Sequence, residues 1–178
     1  DAHHCELIGG DTTQGPLNIA ITVMGEVPVG QSILRSGAQA GDDLYVSGHL
    51  GDARLALEAF RGSVSLPQSV FDAARMRMER PTPRVALGMA LRGIAHAMAD
   101  ISDGLLGDLG HILKASRVGA EIDLAAMPAL MQTTHLWSCP PDLALTCVLS
   151  GGDDYELVFC APPSASETVH ALSQATST

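Results

Sequence analysis

Residues 99–111, ADISDGLLGDLGH, set three aspartates into a stretch that is otherwise largely apolar, small or glycine. Asp100 and Asp103 flank Ser102 where an apolar strand end gives way to a helix. Carboxylates are hard oxygen donors of the kind Mg²⁺ uses, a few at a time, together with phosphate oxygens and water. Two more places share this grammar: LIGGDTT (7–13), with Asp11 after Gly10, and LSGGDDYEL (149–157), with Asp153 after a glycine pair. Glycine lets a phosphate or metal come close to the backbone because no side chain intervenes. The hydroxyls of Ser102, Thr12 and Thr13 add contacts that suit phosphate. Each motif also has a plain structural reading: Ser-Asp-Gly makes a turn and N-cap, and Gly-Gly-Asp makes a turn between strands.

Other features read more simply. Asp42 and Asp43 suit a turn before a strand, and His111 lies on the helix side away from the leucines, where it is solvated. GHLGD (48–52) is either a phosphate-binding turn or a capped helix start. Arg35, in a Gly/Ser loop, suits a phosphate contact by charge.

The elements that must position these residues follow from periodicity. CELIGG (5–10), LNIAITVMGEV (17–27), DLYVSG (43–48), ADIS (99–102), GAEIDL (119–124) and YELVFCAP (155–162) read as strands. DARLALEAF (52–60), PQSVFDAARMRMER (67–80) and PRVALGMALRGIAHAM (83–98) read as helices, two of them opening on proline. From Gly104 to Val118, apolar residues at Leu105, Leu109, Ile112 and Leu113 keep helical spacing. PPDLALTCVLS and SASETVHALSQ complete the helices. Alternating helices and strands predict a mixed α and β class, a sheet covered by helices. The Gly-rich, polar segment 28–43 is the expected domain boundary.

Composition bounds the function. The chain has 178 residues, 46% of them hydrophobic and 17% charged, enough apolar material for a sizeable core. A net charge of −10 argues against non-specific binding to nucleic acid or anionic membranes. No apolar run reaches membrane-spanning length, since Arg92 and Asp100 interrupt the longest. The four cysteines form no CxxC pair and read as buried thiols in a reducing cytoplasm. Lys114 is the sole lysine, so there is no P-loop lysine, and no GxG occurs to support a dinucleotide or kinase glycine loop. If ATP binds, aspartates and Mg²⁺ handle its phosphates.

Taken together and in order, LIGGDTTQGPL, RSGAQAGDDLYVSG, DISDGLLGDLGHILKAS, GAEIDL and LSGGDDYEL resemble the thiamine-monophosphate kinase family. That family belongs to a superfamily of ATP-binding enzymes that includes aminoimidazole ribonucleotide synthetase and selenophosphate synthetase. The resemblance implies an α+β fold with a mixed sheet covered by helices. Residues 1–31 would be the end of an N-terminal ATP- and Mg-binding domain with its last strands, and residues 32–178 an incomplete C-terminal synthetase-like domain. It implies direct, in-line, Mg²⁺-assisted transfer of the γ-phosphoryl group of ATP to thiamine monophosphate, with no phosphoenzyme. Asp11, Asp100 and Asp103 would be metal ligands, and Gly10, Asp11, Arg35 and Ser102 would meet ATP. Asp153 would meet thiamine phosphate, where the family usually has glutamate. A cytoplasmic homodimer, associating through its N-terminal domains, is the implied assembly.

The chain reads as a fragment whose parent turns over but which alone does not. Two other readings stay open on the sequence: another ATP-dependent enzyme of the superfamily, or a non-catalytic Mg²⁺–nucleotide-binding protein.

Overall fold

The structure is a computed structural model that describes residues 5–178. Residues 1–4, which open the expected N-terminal segment and include His3 and His4, lie outside the described residues. The chain divides into one unit ending at Ser32 and a second, Ile33–Thr178.

In the first unit no helix or strand forms among the described residues, so CELIGG and LNIAITVMGEV are not strands. Leu17, Ile19, Ile21 and Val23 are all largely exposed. Their alternating, β-branched pattern prepares one face for burial. A strand is completed, however, only by a ladder to a neighbour, and no partner strand lies among the described residues.

In the second unit, strands β1 (Asp43–Val46), β2 (Ala97–Ile101) and β3 (Glu156–Ala161) form one sheet in the order β1-β3-β2. Both outer strands run antiparallel to β3, with Tyr45 opposite Phe159 and Asp100 opposite Leu157. The sheet is therefore antiparallel rather than mixed. Helices α1 (Asp52–Phe60), α2 (Gln68–Glu79), α3 (Val85–Ala90), α4 (Leu105–Ser116), α5 (Pro141–Ser150) and α6 (Ser166–Ala175) cover it, giving the expected α+β class.

β3 reads as a nearly continuous apolar run because both of its faces are covered. Val158 and Cys160 face a large core with Leu55, Ile101, Leu109, Ile112 and Val148. Phe159 and Ala161 face a smaller one with Leu87, Leu91 and Val169. Each fully buried side chain of this size contributes about 1.5–3 kcal/mol. Tyr45 stacks on Phe159 with ring centroids 5.2 Å apart, joining β1 to β3.

Two expected elements differ. The helix read over 83–98 is only α3, since Gly93 takes φ +76° and the chain then enters β2. GAEIDL is not a strand: Ile122 packs against the large core while Asp123 accepts the Ala125 N–H, so the segment lies against the fold without a ladder.

Cys147 and Cys160 are buried, as read, but Cys5 is exposed and Cys139 half-buried, so the thiols do not share one environment. Burial pushes the Cys147 thiol up to about 12. No helix among the described residues is long and apolar enough to cross a membrane.

Candidate functional site

The acidic motifs of the second unit meet at one end of the sheet, where β2 runs into α4 and the 151–155 loop runs into β3. Asp100 lies one residue before the end of β2, exposed, with the Arg35 guanidinium 4.0 Å from its Oδ1. Both side chains are more than half exposed, so this pair contributes about 0–1 kcal/mol. Arg35 is brought there by its own segment. The Leu34 carbonyl accepts the Met98 N–H of β2. Ser116 Oγ, at the end of α4, accepts the N–H groups of Gly37 and Ala38 and donates to the Arg35 carbonyl.

Ser102 and Asp103 form the turn between β2 and α4. Their two N–H groups both donate to Oδ2 of Asp108, at 2.9 and 3.0 Å. Asp108 sits in the first turn of α4, on the same buried stripe as Leu105, Leu109 and Ile112. On its other side the turn is bonded to the 151–155 loop: the Ser102 carbonyl accepts the Asp153 N–H, and the Ile101 carbonyl accepts the Tyr155 N–H. Asp153 and Tyr155 carry these bonds at φ +65° and +51°. Aspartate tolerates that left-handed region through its short polar side chain, whereas for tyrosine it is strained backbone.

The glycines of these motifs serve the approach of the two loops. A Cβ on Gly152 would lie 2.6 Å from the Ser102 carbonyl oxygen. Gly104 has φ +111°, and its Cβ would lie 3.0 Å from the Gly151 carbonyl. Protein backbone, rather than a ligand, accounts for their lack of side chains.

Asp100, Asp103 and Asp153 all point their charge at this surface. The Tyr155 hydroxyl donates to Asp153 Oδ1 at 3.3 Å. The Asp153 charge holds that phenol above its usual range, with partial burial and then Asp103 and Asp100 adding to the effect. Asp11 and Gly10 belong to the first unit and are exposed there, where Asp11 Oδ1 accepts the Thr12 N–H.

A second set of acids points inward. Asp154, 2% exposed, accepts the Gly51 N–H at the start of α1 with both oxygens, each at 3.0 Å. Burial pushes its carboxyl up to about 7, against the pull of that N–H. GHLGD is thus a helix start whose anion position is filled by the chain's own carboxylate. Asp52 accepts the N–H groups of Gln132 and Thr133 and the Thr133 hydroxyl. Glu156, fully buried, binds Arg77 at 2.7 Å, Arg84 through both oxygens, and the Ser47 hydroxyl at 2.6 Å.

Asp42 serves its turn, accepting the Gln39 N–H and meeting His96 Nδ1 at 3.0 Å. His111 is exposed, as its helix position implies.

The motif pattern singled out Asp100, Ser102, Asp103 and Asp153 but passed over Asp108, Asp154 and Glu156. The signal lay in the periods: Asp108 falls three residues after Leu105 on the apolar stripe, and Asp154 and Glu156 alternate with exposed neighbours ahead of Val158. A cavity of about 350 Å³ between β1 and α6 is lined by Tyr45, Phe159, Val169 and His170, and by none of the outward acids.

An antiparallel sheet under helices with an acidic, glycine-rich edge has a counterpart among known domains. Residues 39–177 match the family "AIR synthase related protein, C-terminal domain". The chain belongs to that family. Within it, the chain is similar to the thiamine-monophosphate kinase of Escherichia coli strain K12, 45% identical over 161 residues, which is 88% of this chain and 48% of that protein. The crystal structure of thiamine-monophosphate kinase from Stenotrophomonas maltophilia K279a superposes with a TM-score of 0.76 at 42% identity, over 84% of this chain and 48% of that one. A structure described as "AaThiL complexed with AMPPCP and TMP" superposes with a TM-score of 0.56 at 29% identity, over 74% of this chain and 43% of that one. The chain spans about half the length of the curated relatives it matches.

The donor set suits Mg²⁺. Asp100 and Asp103 are exposed carboxylates, and the Arg35 guanidinium stands 4.0 Å from Asp100. Among the described residues no group of three or more His, Cys, Asp or Glu side chains is arranged to hold a metal alone. One or two carboxylates completed by substrate phosphates and water is the arrangement Mg²⁺ ordinarily takes.

Proposed function

We propose that this chain is the greater part of the C-terminal half of a thiamine-monophosphate kinase. The full-length enzyme transfers the γ-phosphoryl group of ATP to thiamine monophosphate and so makes thiamine diphosphate. The observation that carries this reading is the outward set Asp100, Asp103 and Asp153 beside Arg35, at one sheet edge of a chain 45% identical to an enzyme of that name. The relative described as complexed with AMPPCP and TMP supports ATP and thiamine monophosphate as the two substrates.

Asp100 and Asp103 would hold Mg²⁺, which supplies charge neutralisation between the acids and the phosphates, and the family resemblance makes Asp11 a metal ligand as well. Arg35 and Ser102 meet the phosphates of ATP, with Gly10 against the nucleotide, and Asp153 meets thiamine phosphate. Such a site works by positioning and electrostatics, because phosphoryl transfer asks little covalent chemistry of the protein. Transfer is direct and in line between the two bound substrates, without a phosphoenzyme. The full-length enzyme works in the cytoplasm as a homodimer.

The test is chromatographic detection of thiamine diphosphate after the full-length protein is incubated with ATP, Mg²⁺ and thiamine monophosphate. Product that requires all three is the expected result. A folded, ATP-binding protein that yields none would overturn the reading.

A further inference from the structure

Asp108 is a buried acid that the catalytic reading leaves without work. It is 4% exposed and takes part in no ion pair among the described residues. A carboxylate buried without a cation is costly unless N–H groups satisfy it. Here both donors come from consecutive residues of one turn, Ser102 and Asp103, and both bonds end on the same oxygen. The second position of an apolar helix stripe, where a leucine would stabilise by burial, is given instead to holding two backbone N–H groups.

We propose that Asp108 is a positioning residue that fixes the Ser102–Asp103 turn and through it both halves of the site; this rests on the functional reading above. The Ser102 peptide is held from two sides, its N–H by Asp108 and its carbonyl by the Asp153 N–H. Asp103, which meets the metal–nucleotide side, and Asp153, which meets the acceptor side, therefore hang from one clamped turn. Residues that orient ligating carboxylates typically change metal affinity or activity by 10–100-fold when replaced.

The test is calorimetric titration of the full-length protein with AMPPCP across a series of Mg²⁺ concentrations, for the parent, Asp108→Ala and Asp108→Asn. The Mg²⁺ concentration giving half-maximal binding rises by roughly 10–100-fold in Asp108→Ala. The amide oxygen of asparagine replaces the single accepting oxygen, so Asp108→Asn stays within about fivefold of the parent, the difference between a charged and a neutral acceptor. A purely structural role would reduce the fraction of protein that binds and leave the Mg²⁺ midpoint where it was.

Amide exchange of Ser102 and Asp103 in metal-free, nucleotide-free parent protein adds a readout independent of binding and of the alanine variant's folding. Slow exchange supports the clamp; exchange at open-chain rates overturns it. So does an unchanged Mg²⁺ midpoint in folded Asp108→Ala, a midpoint in Asp108→Asn raised as far as 10–100-fold, or a parent that does not bind Mg²⁺–AMPPCP. A parent that binds it but makes no thiamine diphosphate removes the functional reading alone.

Discussion

Asp153 and Asp154 are neighbours in the chain and opposites in the structure. Asp153 is exposed, takes a left-handed backbone and shares its surface with Asp100 and Asp103. Asp154 turns inward and meets the Gly51 N–H at the start of α1 with both oxygens. The same division separates Asp103 from Asp108, and Tyr155 from Glu156. The outward acids are exposed and have few partners among the described residues. The inward acids are bonded to N–H groups or arginines; Asp108 holds the turn just before its own helix, while Asp154 and Glu156 hold segments distant in sequence. A run of acids beside glycine is therefore two sets interleaved, one exposed, which we propose carries the chemistry, and one bonded into the fold.

Replacing an inward acid should cost stability most. Glu156 compensates Arg77 and Arg84, whose side chains are only 14% and 12% exposed. Glu156→Ala leaves two nearly buried guanidinium groups unpaired and lowers stability by about 3–5 kcal/mol, read as a loss of that size in urea unfolding. An unfolding free energy close to the parent's would mean that the inward set is not structural.

A smaller effect tests the seam between the two sets. Gly152→Ala puts a Cβ against the Ser102 carbonyl oxygen, where the neighbour is backbone and must shift. The expected loss is about 1–3 kcal/mol in thermal unfolding, with reduced turnover because Asp153 and Ser102 move apart. An alanine variant that matches the parent in both measurements breaks the link between the loops.

A third effect is a pH dependence. The Asp154 carboxyl titrates near 7 in the fold, chiefly through burial, against an ordinary value of 3.8. Between those values the folded chain keeps a proton that the unfolded chain has released. The acid's contribution is thus fully present below about pH 4 and is lost as pH rises through 7. The slope is at most about 1.4 kcal/mol per pH unit. Asp154→Asn should flatten that part of the profile, so that its urea midpoint falls less than the parent's between pH 5 and 8. Equal falls in the two proteins would assign the slope to other groups.

Much of this was legible in the sequence, for a physical reason. α4 carries a strong periodic signal and β3 a nearly continuous apolar run, and Asp100, Ser102, Asp103 and Asp153 stood out because acids beside glycine at strand ends are chemically conspicuous. Asp108 and Asp154 did not stand out, because their partners are backbone N–H groups, which have no letter in a sequence. Arg77 and Arg84 are 79 and 72 positions from Glu156, so nothing local announced their pairing. The strands read at 5–10 and 17–27 failed for a related reason: a strand's pattern is local, but its ladder needs a neighbour that lies elsewhere.

The most direct test of the division itself is the rate of thiamine diphosphate formation by full-length Asp100→Asn, measured beside its melting temperature. Asp100 is exposed, so its replacement should leave stability within about 0.5 kcal/mol of the parent. Its loss from a site that works by charge neutralisation should cost several kcal/mol of transition-state stabilisation, or roughly 100-fold or more in rate. A protein that melts with the parent but turns over at least that much more slowly is the predicted result. Turnover near the parent's would contradict the account, since the outward acids would then not be the chemical set.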